Sequence, residues 1–371
     1  MLNSPLPNLA MVLHGHSLNA VSPEPPPSLS LIAARVDVRL RRLIDAEDAR
    51  WTALDPVLAD PFTAIRNLVL VGGKRLRPGF CHWGFVGAGG DPDDPKLIDA
   101  GAALELLHAF ALFHDDVMDG SATRRGQPTV HTVHEAQHGG VWAGEARRYG
   151  EGVAILVGDL TFVYADQLMR AASAAAWEIW NELRVELNIG QYLDIVGSAH
   201  RERRWAKAEQ ISRYKSGKYT IERPLHLGAM IAAPERHRLL AELSGYGLPL
   251  GDAFQMRDDV LGVYGDTAVT GKPVADDLRE GKPTPLLALA CAAATSAQAA
   301  VLDRVGAADL SDAEIADLQQ VIIDTGALRA LEDHITELTR QALAALSAMS
   351  LAAGAADELT QLAGYVSWRE V

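Results

Sequence analysis

The sequence predicts an all-α protein built as one large helical bundle, and three observations predict it. Alanine and leucine dominate while aromatics make up only 6% of 371 residues, a composition that favours helix over sheet. Apolar residues recur at helical spacing from about residue 29 onward, with no clear run of period-two alternation. Residues 102–113 are apolar all round, as in a helix covered on every side by others.

Residues 1–28, which include SPEPPPS, show little periodicity and are expected to form a disordered leader, with a helical domain over 29–371. The segment LSLIAARVDVRLRRLI places apolar residues at helical spacing and opens that domain. PKLIDAGAALELLHAFALFHDDVMD, residues 95–119, reads as a long helix with Pro95 near its start, where a missing N–H costs nothing. Residues 127–150 are polar and glycine-rich, which predicts a short helix followed by a surface loop. Further helices are expected over 151–172, 208–233 and 239–266, and two or three amphipathic ones over 310–369. No internal repeat of 20–50 residues is present.

The net charge of −14 repels nucleic acid and anionic lipid. A polyanion bound here needs a local basic cluster or a bridging metal. Cys81 and Cys291 form no CxxC pair, which argues against a cysteine zinc site or a disulfide framework and fits a reducing compartment. The most apolar stretches, 102–113 and 153–169, are interrupted by Glu105 and His108 and by Asp159 and Asp166, so no membrane span is expected. No basic segment leads into an apolar one at the N-terminus, so no signal peptide is expected and the location expected is cytoplasmic.

Two acidic motifs carry the chemistry. HDDVMDGSATRR sets Asp115, Asp116 and Asp119 at the end of the apolar helix, followed by Arg124 and Arg125. At 100° per residue, Asp115 and Asp119 lie about 40° apart with Asp116 to one side. Such carboxylates repel each other unless a cation joins them, and Mg²⁺ takes oxygen ligands that it shares with substrate phosphates. A second cluster, Asp258 and Asp259 in FQMRDDVLGVYGD, follows another apolar helix, and helical bundles commonly build metal sites from facing pairs of this kind. Basic residues flank the system: Lys74, Arg75 and Arg77 in GGKRLRP, Lys215 and Lys218 in YKSGKYT, and Lys272 and Lys282 around Asp276 and Asp277. Near a Mg²⁺ site, such side chains clamp phosphoryl oxygens.

Taken in order, GGKxxRP at 72–78, DDxxD at 115–119, KSG at 215–217, QxxDD at 255–259 and the lysines 272 and 282 resemble the trans-isoprenyl diphosphate synthase (polyprenyl synthetase) family. The resemblance is to its short-chain members that make geranylgeranyl diphosphate, and its motifs span about 210 residues. It implies an isoprenoid-synthase-like bundle around a deep central cavity, usually dimeric. It also implies prenyl transfer from dimethylallyl, geranyl or farnesyl diphosphate to isopentenyl diphosphate. In that reaction the allylic C–O bond breaks and diphosphate leaves. The double bond of isopentenyl diphosphate attacks the allylic cation, and a proton is then lost to the departing diphosphate. The catalytic set carried over is Asp115, Asp116, Asp119, Lys215, Asp258, Asp259 and Lys272, with Asp115, Asp119 and Asp258 as ligands of three Mg²⁺ ions when substrate is bound. Lys74, Arg77, His108 and Arg125 resemble the isopentenyl-diphosphate site. Arg124, Lys215, Ser216, Gln255, Lys272 and Lys282 resemble the remaining diphosphate contacts.

Two positions depart from the family pattern: Ser216 replaces a frequent threonine, and Gly262 stands where a third aspartate would complete the second motif, with Asp266 further on. Phe110 and Ala111, just over one turn before Asp115, occupy the positions that set product length in the family. An aromatic at the first and a small residue at the second imply a C20 product, with C15 farnesyl diphosphate as the alternative. A class I terpene cyclase and a catalytically weak subunit of a heteromeric synthase are further readings. The cyclase needs no second diphosphate site, and the weak subunit typically loses its acidic motifs. His131, His134 and His138 share a helical face and are read as structural, Asp159 as a buried hydrogen-bonding residue, and RERRW at 201–205 as a solvated loop.

Overall fold

The computed structural model describes residues 24–265, 275–352 and 354–369. Most of the leader read over 1–28 falls outside them, as do Asp266 and Lys272. Helix α1 (Pro27–Thr52) begins on a proline at its first position and buries the stripe Leu29, Ile32, Val36, Leu40 and Ile44. A short 3₁₀ turn leads into α2 (Ala59–Leu70), and α3 (Leu76–Gly87) follows the GGKR loop. Helix α4 (Pro95–Asp119) is capped by Asp94, whose side chain accepts from the Lys96 N–H at 2.8 Å, and stops at Gly120 in the left-handed region. Among the described residues the β-structure is one hairpin, Thr123–Arg124 against Gln127–Pro128. Then come α5 (Val130–His138), α6 (Ala146–Met169), α7 (Ala174–Ala199) and α8 (Trp205–Ser212).

Helix α8 runs into a ten-residue π-helical segment, Arg213–Glu222, and on into α9 (Arg223–Ala232). The sequence pattern reads this whole stretch as one regular helix; the structure corrects that. Pro224 lacks an N–H, and in an unbroken α-helix its ring would strike the carbonyl four residues back. The wider turn before it relieves that conflict. The segment packs tightly between neighbours. A Cβ on Gly190 of α7 would lie 2.2 Å from the Lys215 nitrogen.

The long α10 (Arg238–Tyr264) contributes to two cores. Leu239, Leu243, Tyr246 and Leu250 join the larger one with α1–α4, α6, α7 and α9, and Met256, Val260 and Val263 join a second built on the C-terminal helices. Those helices are α11 (Asp276–Glu280), α12 (Pro285–Ala293), α13 (Ser296–Leu302), α14 (Asp312–Asp324) and α15 (Ala327–Ser347), while α16 (Ala355–Trp368) and the end of α15 pack into the larger core through Leu346, Leu359, Leu362 and Val366.

By length and apolarity alone, α4 and α6 would suffice to cross a bilayer, contrary to the reading that their charges exclude a span. Their most apolar windows are 61% and 44% buried and the two helices pack on each other, so the apolarity of α4 serves mainly the bundle core, while α6 leaves Leu156 and Val163 exposed.

Candidate active site

A cavity of about 570 Å³ opens among α3, α4, α7, the π segment, α10 and α11. His108, Ala111, Leu112 and Asp115 line one wall at spacings of three and four, the single face that a helix presents. Phe110 does not line it. Its ring packs beside Phe162 at 4.8 Å and His114 at 4.6 Å, about a quarter-turn away from Ala111.

The first acidic motif is held by cations from three directions. Asp115 accepts from Lys215 Nζ and from Gln191 Nε2, each at 3.1 Å, and Arg124 stands 3.4 Å away. Burial opposes its ionisation, but Lys215, Lys282 and Arg124 overcome this and hold its carboxyl well below the usual range. Asp116 is buried and accepts from Arg124 Nε at 2.6 Å. Asp119 lies 3.4 Å from Lys282 Nζ, and burial, then the Asp115 charge, push its carboxyl up to about 6. Lys215 also binds Asp194 at 2.5 Å, and Lys282 binds Glu280 at 2.5 Å. The π segment turns Lys215, Ser216 and Tyr219 together into the cavity.

In the second motif Gln255 donates to Asp259 Oδ1 at 2.9 Å. Burial, then the neighbouring Asp277 charge, push the Asp259 carboxyl well above its ordinary value. Asp258 forms a close ion pair with Arg369, which arrives from the C-terminal end and stacks over Phe254 at 4.4 Å.

Lys74 also lines the cavity, and burial, reinforced by Arg369, lowers its ammonium to about 8 against the pull of Asp258. Arg77 donates to Thr220 Oγ1 at 3.0 Å and lies 4.1 Å over the Tyr219 ring, while its buried Nε has no hydrogen-bond partner. His108 Nδ1 lies 2.6 Å from the Tyr219 hydroxyl. Burial, then Arg77 and Arg125, hold the imidazole neutral, well below its ordinary pKa. Arg125 donates to the carbonyls of Leu68 and Val71 at 3.1 and 3.0 Å. Arg75, its neighbour in sequence to Lys74, instead turns into the protein and pairs with Glu105 at 2.5 Å and Asp37 at 2.7 Å.

Sequence reasoning missed Gln191, Asp194, Tyr219, Asp277 and Arg369, all in the lining. None sits in a short-range pattern with the motifs it serves, except Tyr219, four residues beyond Lys215. Asp159 is exposed rather than buried, 3.6 Å from His114 on the outer side of α6. His134 and His138 are buried and held locally, His134 Nδ1 by the Val130 carbonyl at 2.9 Å.

The donor set fits a hard divalent cation. It consists of carboxylate oxygens, and two of them, Asp119 Oδ2 and Asp259 Oδ2, are buried with no hydrogen bond. Among the described residues no three acidic or histidine side chains converge closely enough to hold a metal unaided. A cation here is therefore one shared with phosphate oxygens, as Mg²⁺ usually is.

Fold and cavity together define an all-α bundle in which residues of both acidic motifs line one cavity with eight lysines and arginines. The polyprenyl synthetase pattern matches residues 61–322, and the chain belongs to that family. It is 31% identical over 307 residues to a geranylfarnesyl diphosphate synthase of Aeropyrum pernix, covering 80% of this chain and 90% of that one. It is 30% identical over 308 residues to a (2E,6E)-farnesyl diphosphate synthase of Mycobacterium bovis, covering 80% of each. A crystal structure of geranylgeranyl pyrophosphate synthase from Corynebacterium glutamicum, complexed with isoprenyl diphosphate and magnesium, superposes with a TM-score of 0.86 at 38% identity over 91% of this chain and 98% of that one. The protein is a prenyltransferase, a short-chain trans-prenyl diphosphate synthase.

Proposed function

We propose that the enzyme uses Mg²⁺ to condense isopentenyl diphosphate with allylic diphosphates up to geranylgeranyl diphosphate, C20. The observation that carries this reading is the division of the cavity into two cationic groups. Lys215 and Lys282 pair with acidic side chains, Asp115 and Asp194 for the first and Asp119, Asp277 and Glu280 for the second, whereas Arg77 and Arg125 are held by Thr220 and by backbone carbonyls. Mg²⁺ held by Asp115, Asp119 and Asp258 would stabilise the charge that develops on the leaving diphosphate. Asp116 supports those ligands, Asp259 stands beside Asp258, and Arg124, Lys215, Ser216, Gln255 and Lys282 orient the allylic diphosphate. Lys272 is assigned to that group from its motif alone.

Lys74, Arg77 and Arg125 bind isopentenyl diphosphate. His108 is neutral and 2.6 Å from the Tyr219 hydroxyl; in the tautomer whose Nδ1 accepts from Tyr219, Nε2–H is free to donate to a diphosphate oxygen. The apolar wall of Ala111, Leu112 and Leu187 keeps water from the allylic cation.

The C20 assignment rests on the small Ala111 in the wall, which leaves room for a long tail. Farnesyl diphosphate is the second reading, favoured by the Phe110–Phe162 ring pair beside that wall. Incubation with isopentenyl diphosphate and each allylic diphosphate plus Mg²⁺, followed by chromatography of the dephosphorylated alcohols, decides between them. A dominant C15 alcohol refutes C20.

We further propose a homodimer through α6 and α7. Leu156 and Val163 of the first and Val185, Ile189, Tyr192 and Ile195 of the second are 43–66% exposed, an apolar face suited to a second copy. Light scattering that gives a monomer mass at micromolar concentration refutes it.

A further inference from the structure

We infer that Asp277, on α11, is a cation ligand of the second acidic motif, carried by a different element from Asp258 and Asp259. The inference rests on the proposed metal-dependent function and deepens it. Gly262 lies one turn beyond Asp258 on α10, on the same helix face. That helix face bears no side chain of its own at 262, and the Asp277 carboxylate fills the place. A Cβ built on Gly262 would lie 2.0 Å from Asp277 Oδ2 and 2.7 Å from its Cγ. A Cβ does not approach an oxygen that closely, so the Asp277 carboxylate takes this position only because residue 262 is glycine.

The position is one from which a cation can be reached. Asp258, Asp259, Gly262 and Asp277 line the same cavity. Asp277 Oδ1 lies 3.7 Å from Lys282 Nζ, the lysine that also approaches Asp119 of the first motif. Independently, Asp259 is 3% exposed, and its Oδ2 is buried without a hydrogen-bond partner. A buried carboxylate oxygen with no donor, close to a second carboxylate, is costly unless a cation is shared between them. Lys282 alone does not meet that need, because it already contacts Glu280 at 2.5 Å and Asp119 at 3.4 Å. Asp277 therefore shares a cation with Asp259, its nearest carboxylate neighbour in the motif, and diphosphate oxygens complete the shell.

The test uses the full-length protein, with Mg²⁺ and inorganic pyrophosphate as probes. Calorimetric titration of Mg²⁺ in the presence of pyrophosphate is compared for wild type, Asp277→Asn, Gly262→Asp and the exchanged pair Gly262→Asp/Asp277→Gly. Thermal unfolding without metal is recorded for each. Asp277→Asn is expected to weaken Mg²⁺ binding by about 10- to 100-fold while leaving metal-free Tm unchanged or raised. Gly262→Asp alone places two carboxylates in one space and lowers metal-free Tm. The exchanged pair returns the carboxylate from α10 and recovers most of the Mg²⁺ affinity.

If Asp277 only positions Lys282, Asp277→Asn lowers Tm and leaves Mg²⁺ affinity at the wild-type value, which overturns the inference. An exchanged pair that binds Mg²⁺ no better than Asp277→Asn overturns it too. Product analysis of wild type separates the two readings. Normal prenyl transfer with an unaffected Asp277→Asn sinks this inference alone. Absent prenyl transfer, with Mg²⁺–pyrophosphate binding that Asp277→Asn weakens, sinks the proposed reaction alone.

Discussion

Replacing Arg77 with alanine separates the two substrates. The buried Arg77 Nε has no partner within the protein, while its Nη2 donates to Thr220 at 3.0 Å. A diphosphate oxygen of isopentenyl diphosphate is the acceptor that this donor lacks. A hydrogen bond to a charged group contributes about 1.5–3 kcal/mol. At roughly 1.4 kcal/mol per factor of ten, Arg77→Ala should raise KM for isopentenyl diphosphate by about 10- to 100-fold. The allylic KM should move by less than about threefold, because the residues proposed for that diphosphate, Arg124 and Lys215, contact Asp115 and not Arg77. Truncation also removes the contact 4.1 Å over Tyr219, so Tm must be recorded alongside. Arg77→Lys keeps a charge but loses the fork geometry and should fall between. The assay is a full titration of each substrate at saturating partner. Equal rises in both KM values, or a lower kcat with both KM values intact, would refute the division of the cavity.

Other consequences are as direct. Asp115→Ala should lower kcat by about 10³ or more, and EDTA should abolish turnover of the wild type; undiminished rates in either assay contradict the metal assignment. Lys74, lowered to about 8, is cationic below that pH and neutral above it, so KM for isopentenyl diphosphate should climb as pH rises through 8, a trend that Lys74→Arg should flatten. Ala111→Phe should shift output towards C15, since one ring in the cavity wall stops the growing tail; Phe110→Ala should lengthen products only if its ring also bounds the tail, and otherwise should only lower Tm. Glu105→Ala should cost about 3 kcal/mol of stability by denaturant titration, at the low end for a broken buried ion pair because Asp37 still holds Arg75.

The parts of this site legible in the sequence are those that a single helix turn encodes. Asp115 and Asp119 share a face because they are four apart, and the 25-residue helix that carries them reads from its apolar run and Pro95. His108 follows the same arithmetic, seven residues before Asp115. What could not be read depends on backbone register or on distant segments. Apolar periodicity is blind to a π-helical widening, yet that widening sets which of Lys215, Ser216 and Tyr219 reach the cavity. Phe110 looked equivalent to Ala111 by position, but one residue is 100° of helix, and only Ala111 faces the cavity. Gly262 read as a gap in the second motif, because nothing local shows that Asp277, fifteen positions later, packs into it. Arg369 reaches Asp258 across 111 positions, which no local pattern encodes.

The charge of the cavity answers the difficulty posed by the chain as a whole. A protein of net charge −14 should repel diphosphates, yet the cavity lining carries eight lysines and arginines against seven aspartates and glutamates. Lys215 bridges Asp115 of α4 and Asp194 of α7, and Lys282 approaches carboxylates of both α4 and α11. These lysines let acidic groups from separate helices stay close and still ionise, except where burial prevails, as at Asp119. Mg²⁺ alone would meet lysines already paired with its ligands, and diphosphate alone would meet carboxylates that repel it. If they arrived together, each would neutralise what excludes the other: the carboxylates would hold the cation, and the freed ammonium groups would turn to phosphoryl oxygens without losing a charged partner. Binding of metal and diphosphate would then be coupled, and by linkage each should tighten the other by the same factor.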